Sequence, residues 1–184
     1  MARRQVCEMS SRIPQRLALW LPLAVFLGFV LVVVFGLGRS PEVVLESKLI
    51  GKPLPQFTLP GELPGRPGLV DADFKTGRPV VLNIFASWCV PCAAEAPQLM
   101  ALKRAGVTIH AIAIRDTGEA VGGFLQRNGD PFGKVGFDDR SRVQLTLGSS
   151  GVPESFIIDG KGVIRYQYIG DIRPEQVAMV LAQL

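Results

Sequence analysis

Hydrophobic residues fall into two regimes along this chain. From Leu17 to Gly38 no charged residue interrupts the sequence. The run of roughly 22 residues would reach about 33 Å as a helix, which is bilayer length. Pro22 falls in its first turns, where a helix tolerates proline best. Beyond Lys52 the apolar residues come instead in short runs separated by Gly, Pro and Asn, the pattern of buried strands and amphipathic helices.

Within that second regime, Gln56–Leu59 predicts a short strand and Leu69–Phe74 another. Gly77-Arg78-Pro79 turns the chain into a central strand, Val80–Ala86, whose near-continuous apolar character implies burial on both faces. Val90–Arg104 reads as a helix, with Lys103 and Arg104 at the end the helix dipole prefers and Gly106 to stop it. Val107–Ile114 is a second buried strand. A helix over Glu119–Arg127 follows, closed by Asn128-Gly129 and Pro131. Next come a strand at Lys134–Phe137 and a helical turn at Ser141–Leu147. Ser155–Asp159 and Val163–Ile169 form a hairpin around Gly160-Lys161-Gly162, and a final helix starts at Pro174. This order predicts an α/β sandwich around a mixed sheet. The expected divisions are a tail at 1–16, the apolar helix at 17–38, a linker at 39–52 and a folded domain at 53–184.

Charge changes the picture only at the N-terminus. The chain of 184 residues carries a formal net charge of +4, which by itself invites a nucleic-acid partner. Beyond Arg39, however, the two signs balance; the surplus is Arg3, Arg4, Arg12, Arg16 and Arg39 against Glu8. Basic residues before an apolar helix place the N-terminus in the cytoplasm and the following domain outside. The basicity is therefore an address and not a nucleic-acid surface. A cleaved signal peptide would have a shorter apolar core and a small-x-small site; Gly36-Leu37-Gly38 is a poor one. No lipidation pattern surrounds Cys7, which is read as an unused thiol.

The chemistry sits at Trp88-Cys89-Val90-Pro91-Cys92, where the central strand runs into its helix. Two thiols spaced C-x-x-C at a helix N-terminus suit a redox pair, because unpaired N–H groups and the helix dipole favour a thiolate on the first sulfur. Cys89 is then the nucleophile and Cys92 the resolving thiol. A structural zinc site needs four ligands, and only Cys7 and the single histidine, His110, remain to supply them. A c-type haem would need His after the second cysteine, where Ala93 stands. A static disulfide over so short a loop would contribute little stability.

These residues together resemble the thioredoxin superfamily over roughly 52–184. Trp88-Cys89-x-Pro91-Cys92 is similar to its active-site motif, Pro97 to its helix-kinking proline, Gly151-Val152-Pro153 to its cis-proline loop and Gly170 to the glycine before its last helix. The resemblance implies a thioredoxin-like sandwich with a central mixed sheet, here preceded by one transmembrane helix. Thioredoxins carry a buried aspartate six residues before the first cysteine; this chain has Asn83. Glu95, Glu154, the 148–155 loop and the 157–165 hairpin are similar to the DsbE (CcmG) family. The related ResA and TlpA groups share many of these features. Where the family loop reads G-V-x-G, this chain has Gly148-Ser149-Ser150-Gly151.

That resemblance implies an inner-membrane, single-pass protein with its redox domain in the periplasm. It would act as a reductant in cytochrome c maturation, keeping apocytochrome c thiols reduced directly or through a CcmH-like thiol protein. DsbD or CcdA would recharge it across the membrane. It implies no cofactor beyond the Cys89–Cys92 disulfide. Glu95, one turn past Cys92, would accept its proton and raise thiol pKa values; the alternative is a solvated surface glutamate. Trp88, Val152, Pro153 and Glu154 would line the substrate groove, and Val90, Pro91 and Asn83 would tune the redox pair. His110 is expected to be a packed core histidine. Two other functions stay open: a general extracytoplasmic reductase of the TlpA/ResA kind, and a thioredoxin-fold copper chaperone. A peroxiredoxin would need a Pro-x-x-x-Thr-x-x-Cys signature that is missing here.

Overall fold

A computed structural model describes residues 15–37 and 47–184. Two compact units divide the chain near residue 43. In the first, α1 (Gln15–Leu37) is a 23-residue helix containing Pro22, and its described side chains, from Trp20 to Val33, are all exposed. Among the described residues no helix is long and apolar enough to cross a membrane. Residues 1–14, with Arg3, Arg4, Arg12 and Cys7, and residues 38–46, with Arg39 and most of the expected linker, lie outside the described residues, whereas Arg16 is part of α1.

The second unit is built on a five-stranded sheet in the order β5-β4-β3-β6-β7. Its strands are β3 (Val80–Phe85), β4 (Thr108–Ile114), β5 (Val135–Asp138), β6 (Glu154–Ile158) and β7 (Ile164–Ile169). The first three run parallel, while β6 and β7 form an antiparallel hairpin on the other side of β3. All six residues of β3 are buried, as an apolar strand covered on both faces requires. The helices are α2 (Val90–Arg104), α3 (Gly118–Asn128), α4 (Arg142–Thr146) and α5 (Val177–Ala182). The last is entered through a 3-10 turn at Pro174–Gln176.

Register separates the two faces of the sheet. Asn83 pairs with Ala111 and Ser155, whereas Leu82 pairs with His110 and Phe156, and alternate residues point to opposite sides. On the Asn83 side lie α2 and the rings of Phe85, Phe124 and Phe132, with centroids 5.6 and 4.9 Å from Phe85. The other side is covered by the small β1 (Thr58–Leu59) and β2 (Leu69–Val70) pair and by Phe74. The predicted strand over 69–74 stops at Val70 because the Asp73 carboxylate accepts the Val70 N–H at 3.1 Å and curls the chain into a 3-10 turn.

The folded unit begins earlier than the sequence boundary at 53. Gly51 N–H donates to Ile164 O at 2.7 Å, Ile164 N–H to Lys52 O at 3.0 Å, and Pro53 bridges to Val163. Buried Ser47 donates its N–H to Gln167 Oε1 and its hydroxyl to Leu147 O. The supposed linker is thus held from residue 47 onward against the start of β7 and the side chain of Gln167.

One glycine fixes how closely the β1–β2 pair approaches. A Cβ on Gly136 would lie 2.7 Å from the Cβ of Leu59 and 2.9 Å from that of Leu69, and neither atom can move without its backbone. Gly136→Ala is expected to cost about 1–3 kcal/mol. Gly122→Ala, in α3, would meet only the end of Leu63 at 3.7 Å and is expected to be stabilising by up to about 1 kcal/mol through helix propensity. Thermal unfolding of both variants checks the opposite signs.

Candidate active site

Cys89 and Cys92 form a disulfide with Cα atoms 5.3 Å apart. Cys89 is extended and caps α2: its Sγ accepts the N–H of Cys92 at 3.1 Å. The sulfur therefore takes the place of a capping oxygen and bonds one of the four N–H groups that a helix start leaves free. Pro91 in the first turn has no N–H to satisfy. With the bond closed, Cys89 is only 5% exposed, less than the partly exposed nucleophile expected, because the turn folds the sulfur back over the helix start. The neighbours Trp88 and Val90 are 58% and 80% exposed, so the sulfur sits in a collar of apolar surface.

The loop ahead of Cys89 is held by Arg115 and Asp116, just past β4. Asp116 at the end of β4 accepts both the N–H and the hydroxyl of Ser87. Trp88 Nε1 donates to Arg115 O at 3.3 Å, and Arg115 carries a left-handed φ of 48°. An Arg-Asp pair just past a buried parallel strand was the available signal, since such strand ends border sites in parallel sheets.

The Val152–Pro153 bond is cis, as the resemblance implied. Pro153 O accepts the N–H of Gly170, so the loop is tied to the end of β7. Gln144, on α4, donates through Nε2 to Gly151 O at 3.2 Å. Val152 is half-buried, and Pro153 is buried.

Of the two carboxylates singled out in the sequence, Glu154 departs from expectation and Glu95 does not. Glu154 does not line a groove: it is 0% exposed. As the first residue of β6 it pairs with Ile84, which puts it on the sheet face away from Asn83. There its Oε1 accepts the N–H and hydroxyl of Ser150 at 3.2 and 3.0 Å, beneath the 148–151 loop. Glu95 is 1% exposed, which removes the alternative of a solvated surface glutamate. Its Oε1 accepts from Asn83 Nδ2 at 2.9 Å and its Oε2 from the Ile172 N–H at 3.1 Å. Burial pushes its pKa up from 4.5 to about 7, against the two hydrogen bonds, and the nearby Asp171 adds to the rise.

Glu95, Cys92 and Asn83 together line an internal cavity of about 10 Å³, closed by Leu99, Phe124 and Phe132. That is space for about one water molecule. Asn83 Nδ2 also donates to Ser155 Oγ at 3.0 Å, but its Oδ1 has no hydrogen-bond partner among the described residues. The amide is therefore half-satisfied. His110 is not brought to the thiols. It lies on the opposite face, edge-on to Phe74, and Nδ1 accepts the Lys134 N–H at 3.2 Å. Burial lowers its pKa, as befits a packed neutral histidine. Among the described residues no group of three His, Cys, Asp or Glu could hold a metal ion.

The raised Glu95 pKa links stability to pH. Between 4.5 and about 7 the folded protein keeps a proton that the unfolded chain has released, so stability is full below this window and falls as pH rises through it. The oxidised wild type should lose on the order of 3 kcal/mol across the window relative to Glu95→Gln. Urea unfolding of both proteins below and above the window measures this; parallel pH profiles would remove the buried acid.

The Redoxin family pattern matches residues 49–184. The thiol:disulfide interchange protein DsbE of Escherichia coli K12 is 37% identical over 166 residues, covering 87% of this chain and 89% of that protein. HelX of Rhodobacter capsulatus, also a thiol:disulfide interchange protein, is 33% identical over 159 residues, covering 86% and 90%. A Chlorobium tepidum structure assigned as a DsbE thiol:disulfide interchange protein superposes with TM-score 0.61 at 32% identity, covering 73% of this chain and 94% of that one. With a thioredoxin-like sheet, a capped C-x-x-C disulfide and these relatives, the chain belongs to the DsbE (CcmG) family of thiol–disulfide oxidoreductases within the thioredoxin superfamily.

Proposed function

We propose that the protein is a membrane-tethered reductant of cytochrome c maturation, working in the periplasm on apocytochrome c thiols or on a CcmH-like intermediary. The observation that carries the direction of electron flow is Glu95, a buried carboxyl with its pKa near 7 on the same small cavity as Cys92. An anion there opposes a second anion on sulfur and disfavours the very stable thiolate that makes a strong oxidant. The names of its DsbE and HelX relatives, as thiol:disulfide interchange proteins, agree with exchange chemistry. The uncharged run 17–38 and the arginines before it support the tether and its orientation.

In this mechanism the Cys89 thiolate attacks a substrate disulfide, forming a mixed disulfide and releasing one substrate sulfur as thiolate. Cys92 gives its proton to the Glu95 carboxylate and attacks Cys89 Sγ. The second substrate sulfur leaves and takes up a proton. Two electrons pass from the protein dithiol to the substrate, and the protein is left as the disulfide seen here. Exposed Trp88 and Val90 give the substrate an apolar landing beside the sulfur, and the backbone of Val152 is available to pair with an extended segment. A DsbD- or CcdA-type donor returns the electrons.

Resolution of a model mixed disulfide should speed up as pH rises through about 7, when Glu95 becomes a base. Glu95→Gln should lose that inflection and slow by about 10²-fold. Stopped-flow measurement with unchanged rate and profile would dismiss Glu95 as the acceptor. Covalent trapping on Cys92→Ala in cells should capture apocytochrome c or its thiol partner. Capture of a broad set of unrelated extracytoplasmic proteins would point to a general reductase. Equilibration with glutathione should give a potential nearer thioredoxin's than DsbA's.

A further inference from the structure

We propose that Asn83 is a positioning residue that responds to the redox state of the pair. In the dithiol its Oδ1 accepts the S–H of Cys92, while its Nδ2 holds Glu95 where that proton goes next. The inference rests on the reading of Glu95 as the proton acceptor of Cys92 and extends it to a second group.

Asn83 lies in the middle of β3 with no exposure to solvent. Its Nδ2 is fully employed, one hydrogen bond to Glu95 on α2 and one to Ser155 on β6. Its Oδ1 is the one polar atom of the amide left over, and the residue shares its cavity with Cys92. An unmet acceptor in so buried a place carries a desolvation penalty, and in the closed state Cys92 cannot relieve it, because a disulfide sulfur bears no hydrogen. Reduction by a thiol donor adds two electrons to the S–S bond, and the Cys92 sulfur takes up a proton from Glu95. A donor then exists on the same cavity.

When the pair next resolves a mixed disulfide, the proton returns to Glu95, the S–S bond closes and Oδ1 is again without a partner. An amide suits this place better than a carboxylate. It offers an acceptor that does not titrate, leaving Glu95 as the only group whose charge changes beside the thiol. An aspartate here would put two carboxylates on one small cavity and split their titration between them.

The S–H stretching band of Cys92 reports the bond directly. It is read in full-length protein in detergent, in a Cys89→Ser background, after subtracting a Cys89→Ser/Cys92→Ser control that removes Cys7. The band should sit lower and broader with Asn83 present than in Asn83→Leu. An identical band in both would overturn the proposal. Losing the acceptor should also shift the glutathione equilibrium about fivefold toward the disulfide; an unchanged equilibrium counts against it.

Should Asn83→Leu fail to fold, the wild type gives the answer. With ¹³C-labelled asparagine, the redox-difference infrared spectrum should show the Asn83 carbonyl band falling on reduction, and a band that does not move refutes the idea. Loss of the Glu95 role would appear separately, as an unaltered resolution rate in Glu95→Gln while the Cys92 S–H band keeps its shift.

Discussion

A single side-chain amide in the middle of β3 joins the parts that make the site. Asn83 Nδ2 donates to Glu95 on α2 and to Ser155 on β6, so the active-site helix, the central strand and the hairpin that carries the cis-proline are bonded through one nitrogen. A polar group is tolerated there because both hydrogens of its Nδ2 are bonded. β3 is buried along its whole length, and an unpaired amide in such a place would be strongly destabilising. Glu95 in turn reaches the backbone of Ile172, which ties the segment before α5 to the same network. Low dielectric strengthens these bonds and also keeps the Glu95 carboxyl from ionising early.

Around that network the strand ends converge. The C-terminal ends of β3 and β4 deliver Ser87 and Asp116 to each other, and the start of β6 delivers Pro153. The sulfur of Cys89 is held by a backbone N–H of its own helix. A nucleophile positioned by backbone and by buried polar bonds stays in place while its exposed collar, Trp88 and Val90, is left free to meet a partner.

Much of this was legible in the chain. The limits Val90–Arg104 for α2 follow from a proline in the first turn, basic residues in the last and a glycine after it; Gly106 does adopt a φ of 89°. The mixed sheet follows from two apolar runs separated by a helix and then a hairpin. What stayed hidden depends on long-range hydrogen bonds. Glu154 sits in the same local pattern whether it faces a groove or turns under its loop; only the pairing with Ile84 decides. The strand predicted through Phe74 lost to one carboxylate, Asp73, bonding three residues back. The role of Asp116 needed Ser87, 29 residues away, and no local period reveals such a contact.

The strip from residue 47 to Pro53 against β7 has a mechanical meaning. The outer strand of a sheet is normally an open row of donors and acceptors that other chains can join; here the first residue of that row, Ile164, is bonded to the protein's own chain at Gly51 and Lys52, and Pro53 bridges to Val163. Force applied to the chain at residue 47 meets these hydrogen bonds, and those of Ser47, before it reaches the central strands. The force is taken up along one border of the sheet, while the capped sulfur and the cavity beneath it lie on other strands and bear none of it directly.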